Sequence, residues 1–223
     1  MYISDVVKNL LIINVLAFIA TKMLMGEPDP QTMMMLVNEQ GGTFTDFGRY
    51  MLAVFYPASE YFRPYQIVTY MFMHGDLSHI FFNMFALYMF GTPVEMAWGP
   101  KRFLTFYFAT GFGALVLQFL VQYIEIQYGM QSPMSANIPM LGASGAVFGI
   151  LAGYGMQYPN SIIQLIIPPV RMKAKYFVII YAALEVILGL SPFQTGVAHF
   201  AHVGGALFGV LMVLYWRKKG EIY

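Results

Sequence analysis

The feature that most constrains this chain is a recurring apolar stretch close to the length needed to cross a lipid bilayer. A helix needs about 20 apolar residues to span the hydrocarbon core. Six stretches meet or approach that length, at roughly residues 4–25, 77–97, 101–125, 144–158, 172–190 and 199–216. Charges are scarce: 12 Lys and Arg against 11 Asp and Glu make up 10% of the 223 residues, where a soluble domain carries about 25%. There are too few to coat a water-exposed surface, so a soluble enzyme is excluded. An all-α, polytopic membrane protein is expected, a single domain over residues 1–223 with six transmembrane helices. The net charge of +1 leaves no basic face to compete for nucleic-acid phosphates. The absence of Cys excludes disulfides, thiolate metal sites and a cysteine nucleophile.

The stretches are not equivalent. The first follows Lys8 as a signal peptide might, but lacks a small-residue cleavage site and continues through Lys22 to Met25, so an uncleaved anchor is expected. The fourth has only about 15 residues and is interrupted by Gly153 and Gly155, so it should begin inside the membrane. Nine of the 12 basic residues fall at Lys8, Lys101/Arg102, Arg171/Lys173/Lys175 and Arg217/Lys218/Lys219. With six spans these places lie on one side, the cytoplasm by the positive-inside rule, which puts both termini there and the protein in the cell membrane. The long outer loop 26–76 carries Pro28, Pro30, Pro57 and Pro64 between apolar groups, as expected of amphipathic pieces lying in the outer interface. A second outer loop, Gln127–Ala143, leads directly into the short fourth span. Glu95 and Arg102 flank an inner turn and are expected to pair.

Few polar residues remain at membrane depth, and such groups are costly unless they face a partner or a cavity. All four His fall in two clusters, His74 and His79 before and in the second span, and His199 and His202 at the start of the sixth. Asn83 follows His79 by four residues, about 40° around a helix, so the two share a face. Ser144 opens the fourth span inside Gly142-Ala143-Ser144-Gly145. Spans two, four and six run in the same direction, so the first turns of all three lie at one depth. That level holds His79, Asn83, Ser144 and His202.

A serine becomes nucleophilic when an adjacent base takes its proton, and a neutral His can do so. No acid lies close in sequence to Ser144 or His202, so a Ser–His dyad is the more natural reading than a triad. A serine at a helix start also sits beside unpaired backbone N–H groups, which suit a developing oxyanion. His79 and Asn83 could add donors to it. Glycines at three- and four-residue spacing, Gly142, Gly145, Gly149 and Gly153 on the fourth span and Gly204, Gly205 and Gly209 on the sixth, permit the close helix approach that would join Ser144 to His202.

Plainer readings stand beside these. A Gly-rich serine segment can be packing alone, Asn83 can bond a neighbouring helix, and His74 reads as a structural prop for the outer loop. Glu185, in the outer half of the fifth span, either faces a water-filled cavity or is a buried protonated group. Four His could serve an ion transporter, but His74 and His79 would point about 140° apart on one helix, and no duplicated half is present. HExxH and a paired intramembrane Asp are both missing.

His74-Gly-Asp-Leu-Ser-His79-Ile-Phe-Phe-Asn83, then Gly142-Ala-Ser144-Gly145, then Ala201-His202-Val-Gly204-Gly205 resemble, in order, the three signatures of the rhomboid intramembrane serine proteases. The resemblance covers about residues 60–216. It implies a six-helix bundle in which Ser144 is the nucleophile and His202 the general base. The Ser144 backbone N–H with His79 and Asn83 would form the oxyanion hole, with His74, Gly142, Gly145 and His199 in support. His199 occupies a place often polar in the family, where it would help hold water. The substrates implied are transmembrane segments of other membrane proteins within the bilayer, cleaved without metal or cofactor. The fifth helix and the loop after it, about 172–198, would gate entry. A Trp-Arg pair frequent in the family's first loop stands here as Tyr65-Gln66, with Arg63 nearby. The alternative implied by the same resemblance is a catalytically silent relative that binds transmembrane helices.

Overall fold

Each of the six apolar stretches carries a helix in the computed structural model, which describes residues 3–24, 48–165, 169–191 and 198–222. The parts of the expected outer loop at 26–47 and of the expected gate at 192–197 lie outside the described residues. The helices are α1 (Asp5–Ile19, continued by a π turn to Leu24), the short α2 (Gly48–Leu52) and α3 (Gln66–Thr69), α4 (Leu77–Trp98), α5 (Pro100–Gln127), α6 (Ser144–Gln157), α7 (Ala174–Gly189) and α8 (His199–Lys218). Three of them, α4, α5 and α8, are long and apolar enough by length and composition to cross a membrane. One feature departs from an all-helical reading. Ile162–Gln164 and Arg171–Lys173 pair antiparallel, with Ile163 opposite Met172, between the expected fourth and fifth spans and overlapping the start of the fifth. Two three-residue strands are too short to leave a periodic signal.

Two compact units are distinguishable: residues 1–8, 85–120 and 144–223, and residues 9–84 with 121–143. In the first, α6 is the enclosed element. Every residue from Gly145 to Gly153 is buried, as is Gly155. A short helix apolar all round is what a core position requires. Its neighbours approach through glycine. A Cβ on Gly205 of α8 would collide with the Gly145 carbonyl of α6, and one on Gly209 would lie 2.9 Å from the Gly149 carbonyl oxygen. Backbone cannot step aside as a side chain can, so these positions admit no larger residue while the helices keep this spacing.

The ends of the helices near Gly99 are closed by other means. Gly99 alone joins α4 to α5, at φ +83°, a conformation glycine adopts freely, and Pro100 then opens α5 where its missing N–H costs nothing. The π turn Leu87–Gly91 within α4 directly precedes Pro93, whose ring would crowd the carbonyl one turn back in an unbroken α-helix. Trp98, Phe106 and Trp216 form an aromatic cluster, with Trp98 Nε1 donating to Gln157 Oε1 at 2.9 Å. Glu95 does not pair with Arg102. Its buried carboxylate accepts from Ser4 Oγ (2.5 Å) and the backbone N–H groups of Val6 (3.0 Å) and Val7 (2.9 Å). These are the unpaired donors at the start of α1, which a carboxylate satisfies better than it would an exposed guanidinium. Arg102 instead lies 3.7 Å from Glu221.

In the second unit, Val54 and Met140 exchange backbone hydrogen bonds of 2.9 and 2.8 Å, and Ser59 Oγ donates to Asn137 Oδ1. Gln66, half of the Tyr65-Gln66 pair, is fully buried: its Oε1 accepts from the Arg63 N–H at 2.9 Å, and its Nε2 donates to the Tyr61 carbonyl at 3.2 Å. Tyr65 donates its hydroxyl to the Met51 carbonyl at 3.1 Å. The neutral pair therefore ties the first loop together with the Arg63 guanidinium, which donates to the Glu60 and Phe62 carbonyls at 2.7 and 2.8 Å.

Replacing Gly205 with Val is expected to push α8 away from α6. Loss of the cooperative thermal unfolding transition, or a midpoint lowered by many degrees in detergent, is the expected outcome; an unchanged midpoint would contradict the close backbone packing.

Candidate active site

Three helices of the first unit converge on one cluster of polar side chains. Ser144 is the first residue of α6, His199 and His202 lie in the first turn of α8, and Glu185 lies in the last turns of α7. Ser144 Oγ is 2.8 Å from His202 Nε2. His202 Nδ1 is 2.9 Å from Glu185 Oε2, and His199 Nδ1 is 2.6 Å from the same oxygen. Glu185, His199 and His202 are all buried, whereas Ser144 is partly accessible. The order is hydroxyl, imidazole, carboxylate, second imidazole.

The geometry follows from helix periodicity. Close approach of α6 and α8 at Gly145 and Gly205 brings the starts of both helices together, and Ser144 and His202 each precede their glycine in the same turn. The His202 ring stacks on Phe148, centroids 4.3 Å apart and planes within 6°. Phe148 lies four residues after Ser144, hence on the same face of α6. Tyr181 stacks on the other aromatic side of this arrangement, 5.0 Å from Phe148, and stands four residues before Glu185 on α7. Phe148 and Tyr181 were not singled out in the sequence, although the four-residue spacing to Ser144 and Glu185 was available as a signal. Of the two sequence readings of Glu185, a cavity-facing acid or a buried protonated group, the burial is observed, and the carboxyl lies between two imidazoles.

The second unit holds the other histidines. Asp76 caps α4, accepting from Ser78 Oγ (2.5 Å) and the His79 N–H (2.8 Å), and these hydrogen bonds hold its carboxyl below the usual aspartate range. His79 Nδ1 accepts from the Gly75 N–H at 3.3 Å, so the proton of a neutral His79 ring resides on Nε2. Asn83 Nδ2 donates to the His79 carbonyl at 2.9 Å. His74 is fully buried, its ring edge-on to His79 with centroids 5.1 Å apart. Gly142 has φ +133° and donates its N–H to the Tyr70 carbonyl at 3.0 Å, which sets the chain direction just before Ser144. Of the sequence candidates, Ser144, Gly145, His199 and His202 thus come together in one unit, and His74, His79, Asn83 and Gly142 belong to the other.

The Rhomboid domain family matches residues 61–219. The chain belongs to the rhomboid family. Among relatives of this rhomboid, Rhomboid protease AarA of Providencia stuartii is 30% identical over 150 residues, 64% of this chain and 52% of that protein. The mitochondrial Presenilin-associated rhomboid-like protein of Rattus norvegicus is 30% identical over 157 residues, 66% of this chain and 38% of that protein. Rhomboid-like protease 3 of Toxoplasma gondii is 28% identical over 169 residues, covering 76% and 58% respectively. The rhomboid described here therefore spans about half the length of these relatives. It is a mostly helical, multi-pass membrane protein of a protease family.

Burial, then repulsion from the neighbouring His79 ring, pushes the His74 imidazole from 6.5 down to about 3. The folded state thus keeps His74 neutral where the unfolded chain would take a proton. Its stabilising contribution is complete above pH 6.5 and is lost as pH falls from 6.5 towards 3. Thermal unfolding of this rhomboid in detergent is expected to lose up to about 1.4 kcal/mol per pH unit over that window from this one group. His74→Phe should flatten that acid limb; an equally steep limb in the variant would refute the assignment.

Proposed function

We propose that this rhomboid is an intramembrane serine protease that hydrolyses peptide bonds in or near transmembrane segments of other membrane proteins. The observation that carries the reading is the 2.8 Å approach of Ser144 Oγ to His202 Nε2, on adjacent first turns of two helices. Ser144 attacks the scissile carbonyl while His202 takes the hydroxyl proton. His202 then returns that proton to the leaving amine, and water, activated by the same imidazole, releases the acyl group. Rings stacked at 4.3 Å keep His202 in the plane this transfer needs. For the oxyanion we assign the Ser144 backbone N–H, His79 and Asn83 by family resemblance. Support for His79 is the Gly75 N–H on its Nδ1, which puts the ring proton of a neutral His79 on Nε2.

The wider reading is a single membrane domain of six spans in the cell membrane, both termini cytoplasmic, with transmembrane proteins as substrates. The distribution of Lys and Arg supports that orientation. No metal or cofactor enters the chemistry.

Purified protein in detergent or liposomes, challenged with a fluorescent fluorophosphonate and with a model transmembrane substrate, tests the assignment. Wild type should label and cleave; Ser144→Ala should do neither while unfolding near the wild-type temperature, and His202→Ala should do neither while still showing a cooperative unfolding transition. Cleavage by a pure Ser144→Ala preparation would sink the reading. Asn83→Ala should retain measurable turnover, because losing one oxyanion donor costs about 3–4 kcal/mol at most when others remain.

A further inference from the structure

We propose that Glu185 is a positioning residue that completes a Ser144–His202–Glu185 triad, with His199 as the second ligand of its carboxylate. The proposal rests on the nucleophile and base assigned above and changes what holds that base.

An ionised carboxylate only accepts hydrogen bonds, whereas a neutral imidazole donates from one nitrogen and accepts at the other. Glu185 Oε2 lies 2.9 Å from His202 Nδ1, so that nitrogen carries the ring proton. The lone pair of His202 then resides on Nε2, 2.8 Å from Ser144 Oγ, where a base must have it. The opposite tautomer would set a lone pair against the carboxylate and an N–H against the serine hydroxyl. Glu185 therefore selects the working tautomer, and Phe148 fixes the ring plane.

Nothing else explains an acid at this place. The rest of α7 presents apolar residues, Ile180, Leu184, Ile187 and Leu188 among them, with exposures of 41–63% that suit lipid. A carboxylate at membrane depth is tolerated when its charge is compensated. Here two imidazole N–H groups meet one oxygen, His199 at 2.6 Å and His202 at 2.9 Å. With His199 already donating, Glu185 can remain ionised while His202 cycles between imidazole and imidazolium. In the acylation step the Oγ–H proton passes to His202 Nε2, the Oγ–C bond forms, and the carbonyl π pair moves onto oxygen. On collapse the C–N bond breaks and the amine leaves with the Nε2 proton. Glu185 takes no proton at any stage and stabilises the transient imidazolium by its charge.

Glu185, His199 and His202 also offer ligand atoms within 4.8 Å of one another, as a metal site would. Both imidazoles, however, aim at the same carboxylate oxygen at hydrogen-bonding distance, which fits N–H donors, whereas the deprotonated nitrogens a metal needs would set lone pair against lone pair.

The test compares wild type with Glu185→Gln and Glu185→Asp in detergent, reading kcat, KM, fluorophosphonate labelling rate and thermal unfolding. Glu185→Gln should lower kcat by about a hundredfold or more at a KM within about twofold of wild type, with labelling slowed in parallel. Glu185→Asp, which keeps the charge but withdraws it by one methylene, should fall between the two. A folded Glu185→Gln protein with kcat within about threefold of wild type overturns the triad and leaves the Ser144–His202 pair intact. Failure of the underlying reading is distinct: there Ser144→Ala would still turn over. If Glu185→Gln does not fold, Glu185→Asp decides, and a wild-type kcat overturns the proposal. Wild type dialysed against EDTA should keep full activity; loss restored by one equivalent of zinc would overturn it in favour of a metal site.

Discussion

Backbone meeting backbone between α6 and α8 is the constraint on which the site depends. Helices flanked by leucine or phenylalanine pack with their axes 8–10 Å apart and their side chains interleaved, and a serine could not then reach a histidine on the next helix through such a layer. Glycines at 145, 149, 205 and 209 remove that layer. In lipid the hydrophobic effect does not drive helices together, so dense packing and polar contacts must do so. The same short spacing thus supplies both the association of the two helices and the hydrogen bond between Ser144 and His202. Helix association and the Ser144–His202 contact share one structural cause here.

Buried carboxylates complete the picture at both ends of this unit. Glu95 binds the N–H groups that open α1, and Glu185 binds the two imidazoles that open α8. Each acid is far in sequence from its partners and each is compensated by donors rather than by a Lys or Arg. A guanidinium or ammonium at that depth would carry its own desolvation cost, whereas helix N–H groups and neutral imidazoles bring partial positive charge without a second full ion.

The contrast between what was and was not legible in the sequence has the same origin. Apolar length located α4, α5 and α8 to within a few residues, because a bilayer imposes a length and helix geometry converts it into a count. The joint placement of Ser144 and His202 was legible because glycine periodicity is a local pattern, readable along one helix at a time. Glu185 was visible only as an acid in the wrong place. Its partners are 14 and 17 residues away on another helix, and no local pattern encodes which face of α7 meets α8. The Glu95–Arg102 pairing failed for a related reason: nearness in sequence around a turn suggested a pair, but the unpaired N–H groups of α1 were the stronger claim on a buried carboxylate. Gln66 likewise gave no sequence sign that a neutral amide could anchor the first loop.

The helix that carries Glu185 is held differently from its neighbours, and this bears on how the site works. α7 approaches α6 closely at one end, where a Cβ on Gly155 would lie 2.7 Å from the Val178 side chain. Towards the other end Tyr181 stacks on Phe148, Glu185 meets His199 and His202, and Gly189 approaches α8, where a Cβ on it would lie 3.1 Å from the Phe200 ring and 3.2 Å from the His199 Cβ. A backbone-tight contact has one geometry, whereas stacked rings and a carboxylate on a flexible stem tolerate small displacements of the helix axis. Ser144 and His202 are therefore joined through the backbone contact of α6 and α8, while Glu185 reaches them from α7 through side chains. Displacing the Glu185 end of α7 would leave Ser144 and His202 in register but free the His202 ring to take either tautomer. The link between α7 and the Ser144–His202 contact is the pair of hydrogen bonds on a single carboxylate oxygen.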